Sequence, residues 1–191
     1  MSRNKLVTVI LGTRPEAIKL APVILKFKEL ESIETRVILT GQHSEMVEHI
    51  MNLFNIIADN DLKIMKEKQT LVDITCKVLK GVERDFSNYK PDLVIVQGDT
   101  TSAFAGALAA FYNKIPIAHV EAGLRTNNLL EPYPEEANRR LISEITNLHF
   151  APTSVSEKNL LSSNTLGKII ITGNTVIDSL LLLVDKIDKF N

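Results

Sequence analysis

The sequence predicts a single α/β domain built on a doubly wound parallel sheet, and three observations carry that expectation. Short β-branched runs alternate along the chain with longer stretches of 3.6-residue apolar period. Several of the short runs, VTVIL, DLVIVQ and KIIIT, are apolar on both faces, as strands are when helices cover them from either side. At 191 residues, 45% hydrophobic and 24% charged, the chain suffices for one well-packed domain and is short for two.

Taken in order, the first strand is expected at 6–11, leaving through Gly12 into a helix over 15–30. Pro15 is expected at the first helical position, N1, where a missing N–H costs nothing. A second strand at 35–39 precedes a helix at 44–54, and a third at 62–65 precedes a helix at 70–86. The fourth, at 93–96, leads into the small-residue run TSAFAGALAAFY, read as a helix at 101–112. A fifth strand at 117–120 is followed by a polar loop rich in Asn and Pro and a helix at 135–145. The pattern closes with a strand at 148–150, a helix at 155–161, a strand at 169–171 and a last helix from about Val176.

Composition excludes several classes of partner. With 22 basic and 23 acidic residues the net charge is -1, so no field holds a nucleic-acid backbone. The N-terminus MSRNKLVTVILGT has too short an apolar run for a signal peptide or a membrane span, and a cytoplasmic protein is expected. The one cysteine, Cys76, supports neither a disulfide nor a zinc site and is expected to be a small buried side chain. His49, His119 and His149 lack metal-site spacing, so packed or hydrogen-bonded roles are expected, with no metal and no cofactor.

In a doubly wound sheet ligands collect at the carboxyl ends of the strands, and four of those junctions carry charge. After the first strand, GTRPEAIKLAP brings Gly12, which lets a ligand approach the backbone, and helix amides free to face an anion. Its single glycine is not a dinucleotide fingerprint. The competing reading makes Arg14 and Glu16 a solvated pair and Lys19 a surface lysine. Strand four ends in QGDTT, where Asp99 is either a chemical group or a helix N-cap. Strand five runs into HVEAGLRT, with Glu121 at a buried tip where an unpaired carboxylate is costly; a salt bridge to Arg125 is the structural alternative. At PEEANR, Glu135 and Glu136 open a helix, and for Glu136 complementing the helix dipole is the preferred explanation.

The set GTRPEAIKLAP, QGDTTSAFAGALAAFY, HVEAGLRT, PYPEEANR and TGNTVIDSL resembles the non-hydrolysing UDP-N-acetylglucosamine 2-epimerases in order and spacing along essentially the whole chain. Members of that family are about twice this length, with a two-domain GT-B fold. The resemblance therefore implies an N-terminal half, with residues 1–175 as its Rossmann-like domain. Residues 176–191 would begin the linker helix towards a C-terminal nucleotide-binding domain absent from this chain. It implies interconversion of UDP-GlcNAc and UDP-ManNAc by elimination and re-addition of UDP, in a cytoplasmic homodimer, with this half inactive alone.

By motif match Asp99, Glu121 and Glu135 stand where the family has its catalytic carboxylates, and Lys19 where it has an active-site lysine. Gly12, Arg14 and Arg139 would line the substrate cleft. The helix over 71–86, with Leu53 and Phe54, is the expected dimer surface. Some family members bind a second substrate molecule through a Gln-His-x-Gln segment and an arginine. Here Gln42 and Glu45 bound the first and Lys68 takes the arginine's position, so substrate activation is left open. The alternatives are a hydrolysing 2-epimerase, a GT-B glycosyltransferase domain, or a non-catalytic dimerisation module.

Overall fold

The structure, a computed structural model, describes residues 3–41, 44–126 and 128–188. Strands and helices alternate: β1 (Lys5–Leu11), α1 (Arg14–Lys28), β2 (Ile33–Leu39), α2 (Ser44–Leu53), β3 (Asn60–Asp61), α3 (Leu71–Asn88) and β4 (Leu93–Gln97). They continue with α4 (Thr101–Tyr112), β5 (Ile117–Val120), α5 (Glu135–Ile145), β6 (Leu148–Ala151), α6 (Ser154–Ser162), β7 (Lys168–Ile171) and α7 (Val176–Asp188). The sheet is parallel throughout, in the order β3-β2-β1-β4-β5-β6-β7. The order reverses between β1 and β4, the point where such sheets form a crevice.

Alternation along each strand builds two cores. Val9 and Leu11 of β1, Val37 and Leu39 of β2, and Ile95 of β4 face Ala17, Leu20 and Ile24 of α1 and Val47 and Met51 of α2. The intervening Ile10, Ile38, Val94 and Val96 face the other way, onto Ile74, Val78 and Val82 of α3 and the alanines of α4. Both faces of the central strands are therefore dry, and each buried Ile or Val contributes about 1.5–3 kcal/mol of transfer free energy. Small side chains in α4 let that helix lie close to the sheet: Ala105, Ala107 and Ala110 are fully buried.

Four expectations change. The third strand is two residues long and precedes the predicted 62–65, because Asp61 Oδ1 accepts the Lys63 amide at 3.0 Å. Lys63 itself adopts φ 48°, which breaks the extended run. Cys76 is exposed on the outer side of α3, not buried. The apolar stripe of α3 (Ile74, Val78, Val82, Phe86) is spent on the sheet, and Phe54 is buried in the opposite core, so 71–86 with Leu53 and Phe54 is not one contiguous surface. Pro15 sits at the second helical position, since Thr13 is the N-cap. Among the described residues no helix is long and apolar enough to cross a membrane.

Helix α7 returns to the α1 side, and its attachment follows from Pro22. A proline inside a helix cannot donate to the carbonyl four residues back, which leaves the Ile18 oxygen short of its helical partner. The buried Ser179 hydroxyl of α7 donates to that oxygen instead. Ser179→Ala is expected to cost roughly 1–2 kcal/mol in denaturant unfolding by stranding the Ile18 carbonyl. Pro22→Ala, which restores an amide donor, should recover much of that loss in the double variant. Strict additivity of the two substitutions would refute the link.

Candidate active site at the carboxyl edge of the sheet

The β1–α1 turn is closed from within. Thr13 and Glu16 form a capping box in which Glu16 Oε2 accepts the Gly12 amide at 2.6 Å and the Thr13 amide at 2.8 Å. Its other oxygen accepts the Thr100 hydroxyl at 2.6 Å, joining the first turn of α1 to the first turn of α4 across the β1/β4 switch point. Burial pushes the Glu16 carboxyl above its ordinary range, and the bonds from Thr100, Gly12 and Thr13 oppose that rise. The expected open amides are thus occupied by the protein's own carboxylate. Glycine at position 12 has a steric cause: a Cβ there would lie 2.0 Å from Thr40 Oγ1. Arg14 does not pair with Glu16; it is exposed and makes no hydrogen bond or ion pair among the described residues.

At the end of β5 the chain turns sharply. Glu121 adopts φ 64°, a left-handed conformation uncommon for a non-glycine residue and sustained by its partners. Lys19 Nζ from α1 lies 2.7 and 2.6 Å from its two carboxylate oxygens. Gln97 Nε2 at the end of β4 donates to Oε2 at 2.6 Å, and Asn174 Nδ2 after β7 donates to Oε1 at 2.9 Å. Arg125 takes no part: its guanidinium donates to Ser143 Oγ and the Leu124 carbonyl. Lys19 is accordingly neither a surface lysine nor a free cation, but the ion-pair partner of Glu121.

Asp99 stands on the neighbouring β4–α4 junction. Thr100, not Asp99, caps α4, accepting the Ala103 amide at 3.0 Å. The Asp99 carboxylate instead receives Arg139 from α5, while Asn138 Nδ2 donates to the Asp99 carbonyl at 2.9 Å. Burial raises the Asp99 carboxyl above its ordinary range; Arg139 opposes the rise, and the charges of Glu135 and Glu121 add to it. The three carboxylates thus share one electrostatic locale, as the succession of strands predicts. Glu135 opens α5 half-buried and makes no hydrogen bond or ion pair among the described residues. Glu136 does more than complement a helix dipole: fully buried, it accepts Arg140 Nε at 2.7 Å and the Thr126 amide at 3.0 Å, with Arg139 3.3 Å away.

Beneath this layer His119, fully buried in β5, donates from Nε2 to the Gly98 carbonyl at 2.7 Å, anchoring the turn that carries Asp99. Burial pulls its pKa down to about 4, so the imidazole is neutral at physiological pH. His149, its register partner in β6, makes the same kind of bond to the Leu166 carbonyl at 2.7 Å. Of the candidate regulatory set, Glu45 and Lys68 are exposed, and Gln42 lies outside the described residues. Sequence reasoning missed Gln97, Asn138 and Asn174. All three are amides within the motifs QGD, EEANR and TGNT, Gln97 at the end of β4, Asn138 in the first turn of α5 and Asn174 after β7, and only their contacts single them out.

Comparison with known proteins bears on this arrangement. A family model described as UDP-N-acetylglucosamine 2-epimerase matches residues 25–191. The UDP-N-acetylglucosamine 2-epimerase of Neisseria meningitidis serogroup A is 52% identical over 182 residues, covering 95% of this chain and 49% of that protein. That of Escherichia coli K12 is 48% identical over 182 residues, covering 95% and 48% respectively. The crystal structure of the Neisseria meningitidis enzyme bound to UDP-GlcNAc superposes with a TM-score of 0.91, over 96% of this chain and 50% of that one. The chain spans about half the length of the relatives it matches.

The buried histidine makes stability pH-dependent. His119 has a folded pKa of about 4 against an ordinary 6.5, so the unfolded chain binds a proton that the folded chain refuses. Stability is full above about pH 6.5 and is lost as pH falls towards 4, by up to about 3 kcal/mol from this residue. Urea unfolding at pH 7 and pH 4.5 should register that loss, and His119→Gln should flatten it. An unchanged pH dependence in the variant would assign the acid sensitivity elsewhere.

Proposed function

This chain belongs to the UDP-N-acetylglucosamine 2-epimerase family, and from that membership we propose that it is the N-terminal half of a non-hydrolysing enzyme interconverting UDP-GlcNAc and UDP-ManNAc. The observation that carries the proposal is the gathering of Asp99, Glu121 and Glu135 with Lys19 and Arg139 at the carboxyl edge of β4 and β5. Inversion at carbon 2 of the sugar requires groups of this kind. That carbon is not adjacent to a carbonyl, so its proton cannot leave through an enolate. Removing the proton while the bond from carbon 1 to the UDP oxygen breaks sends the C–H electrons into a C1=C2 double bond, giving 2-acetamidoglucal and UDP. Protonation of carbon 2 on the other face and return of the UDP oxygen to carbon 1 complete the inversion.

The route needs carboxylates in different protonation states, cations near the departing diphosphate, and exclusion of water. Glu121, whose ion pair with Lys19 is braced by Gln97 and Asn174, is suited to accept the carbon-2 proton when one of those donors gives way to the sugar. Asp99, raised by burial and by its acidic neighbours, is suited to hold and return a proton. Glu135, with no hydrogen-bonding partner among the described residues, has oxygens to offer the sugar. Arg14 at the lip of α1, beside Gly12, has a guanidinium available for the diphosphate, and Arg139 tethers Asp99.

A second, nucleotide-binding half would hold most of UDP and close the cleft in a GT-B arrangement. Residues 1–175 make up the catalytic half in this reading, and α7 starts the crossing. The exposure of Ile177, Leu180, Leu181 and Ile187 supports that role, since such a helix is suited to further packing. A cytoplasmic homodimer fits the same reading, its dimer contact lying elsewhere than the buried stripe of α3.

Proton NMR with UDP-GlcNAc tests the proposal. The 191-residue chain alone should show no turnover, whereas its fusion to the C-terminal half of the Neisseria meningitidis relative should reach a UDP-GlcNAc/UDP-ManNAc mixture. Free ManNAc and UDP as products would favour a hydrolysing enzyme instead. In the fusion, Asp99→Asn, Glu121→Gln and Glu135→Gln should each lower kcat by roughly 10²-fold or more, with KM little changed. Loss of thermal stability with turnover kept would remove the residue concerned from the chemistry.

A further inference from the structure

The carboxylate of Glu121 has its acceptor capacity filled. Two oxygens offer about four lone-pair directions. Lys19 takes one on each oxygen, Gln97 takes a second on Oε2 and Asn174 a second on Oε1. Two of these three groups come from the body of the sheet or from α1. Asn174 alone comes from the turn between β7 and α7, which also sets where α7 begins: its Oδ1 accepts the Val176 amide at 3.1 Å, and its carbonyl accepts the Ile177 amide at 3.1 Å. One side chain therefore faces two ways, with its oxygen capping α7 and its nitrogen holding Glu121. Ser179, one turn further along α7, donates to the carbonyl of Ile18, the residue before Lys19. The turn thus touches Glu121, and the helix it opens touches the backbone one residue before Lys19.

We infer that Asn174 is a positioning residue that fixes the orientation of the Glu121 carboxylate from the β7–α7 turn. A carboxylate at the end of a left-handed residue, gripped at both oxygens by one flexible lysine, can still rotate about its last bond and move with that lysine. A second and a third donor, one on each oxygen, remove that freedom. Gln97 restrains Oε2 and Asn174 restrains Oε1, so loss of Asn174 releases the half of the group that Gln97 does not reach. The inference rests on the epimerase reading only for its effect on turnover; the contact itself is independent of it.

Two substitutions separate the two duties of the side chain. Asn174→Ser keeps an oxygen able to cap α7 but is too short to reach Glu121. Asn174→Asp keeps the cap and the size, and sets a second carboxylate against Glu121. In the active fusion, Asn174→Ser should lower kcat about tenfold and Asn174→Asp roughly a hundredfold, with KM within about twofold, as expected of lost orientation. The thermal midpoint of the 191-residue chain should stay close to that of the parent in both. A purely structural role predicts the reverse, a fall in the midpoint with kcat kept, and would overturn the inference. The contact is also read directly in the 191-residue chain by the side-chain amide signals of Asn174 in a ¹⁵N–¹H spectrum. Glu121→Gln should move them and remove the separation of the bonded proton from its twin. Unmoved signals would overturn the inference even if the fusion proves to be an epimerase. Moved signals in a fusion that does not act on UDP-GlcNAc would sustain it while the epimerase reading fails.

Discussion

Carboxylates held at the partly dry end of a parallel sheet are the constraint from which most of the remaining structure follows. An unpaired carboxylate there costs several kcal/mol, so each must be given donors or left to take up a proton. Glu121 is given Lys19, Gln97 and Asn174; Asp99 is given Arg139; Glu136 is given Arg140, Arg139 and a backbone amide. Those donors sit on α1, β4, α5 and the β7–α7 turn. The same contacts that neutralise the charges also fix how these elements meet along the sheet edge.

The helix N-termini in the crevice show the same economy. A helix start beside a switch point is a ready anion site, yet α1 turns its own Glu16 back onto the Gly12 and Thr13 amides, and that carboxylate also receives Thr100 from α4. An internal anion therefore occupies the position that an external phosphate takes in dinucleotide-binding sheets. Below it, neutral His119 fastens the Gly98 turn, so Asp99 is held through its backbone as well as through its carboxylate.

Helix α7 links the fold to the chemistry. Pro22 deprives the Ile18 carbonyl of its helical donor, Ser179 supplies another, and one turn earlier Asn174 reaches Glu121. An apparent defect inside α1 thus becomes the attachment point of the last helix, beside Lys19. The outer side of α7 carries Ile177, Leu180 and Leu181 to solvent, while its inner side is committed to the Lys19–Glu121 neighbourhood.

Strand periodicity and doubly apolar runs made the sheet and its two covering layers legible in the sequence, because burial on both faces demands apolar residues at consecutive positions. Position likewise marked Asp99 and Glu121, since residues directly after parallel strands emerge at one edge whatever the details of packing, whereas Glu135 and Lys19 were singled out by the family resemblance of their motifs. The two-residue β3 escaped, because a single bond from the Lys63 amide to Asp61 outweighed the β-propensity of the residues that follow. Cys76 and the outer residues of α3 were misread because period alone does not say which way a helix is turned. Partner choice was beyond the sequence altogether. That Lys19 and not Arg125 binds Glu121, that Glu16 folds back on its own turn, and that Asn174 reaches across 53 positions to Glu121 are decided by distances between elements remote in the chain. Local pattern sets which side chains stand at the edge; only tertiary packing sets which of them meet.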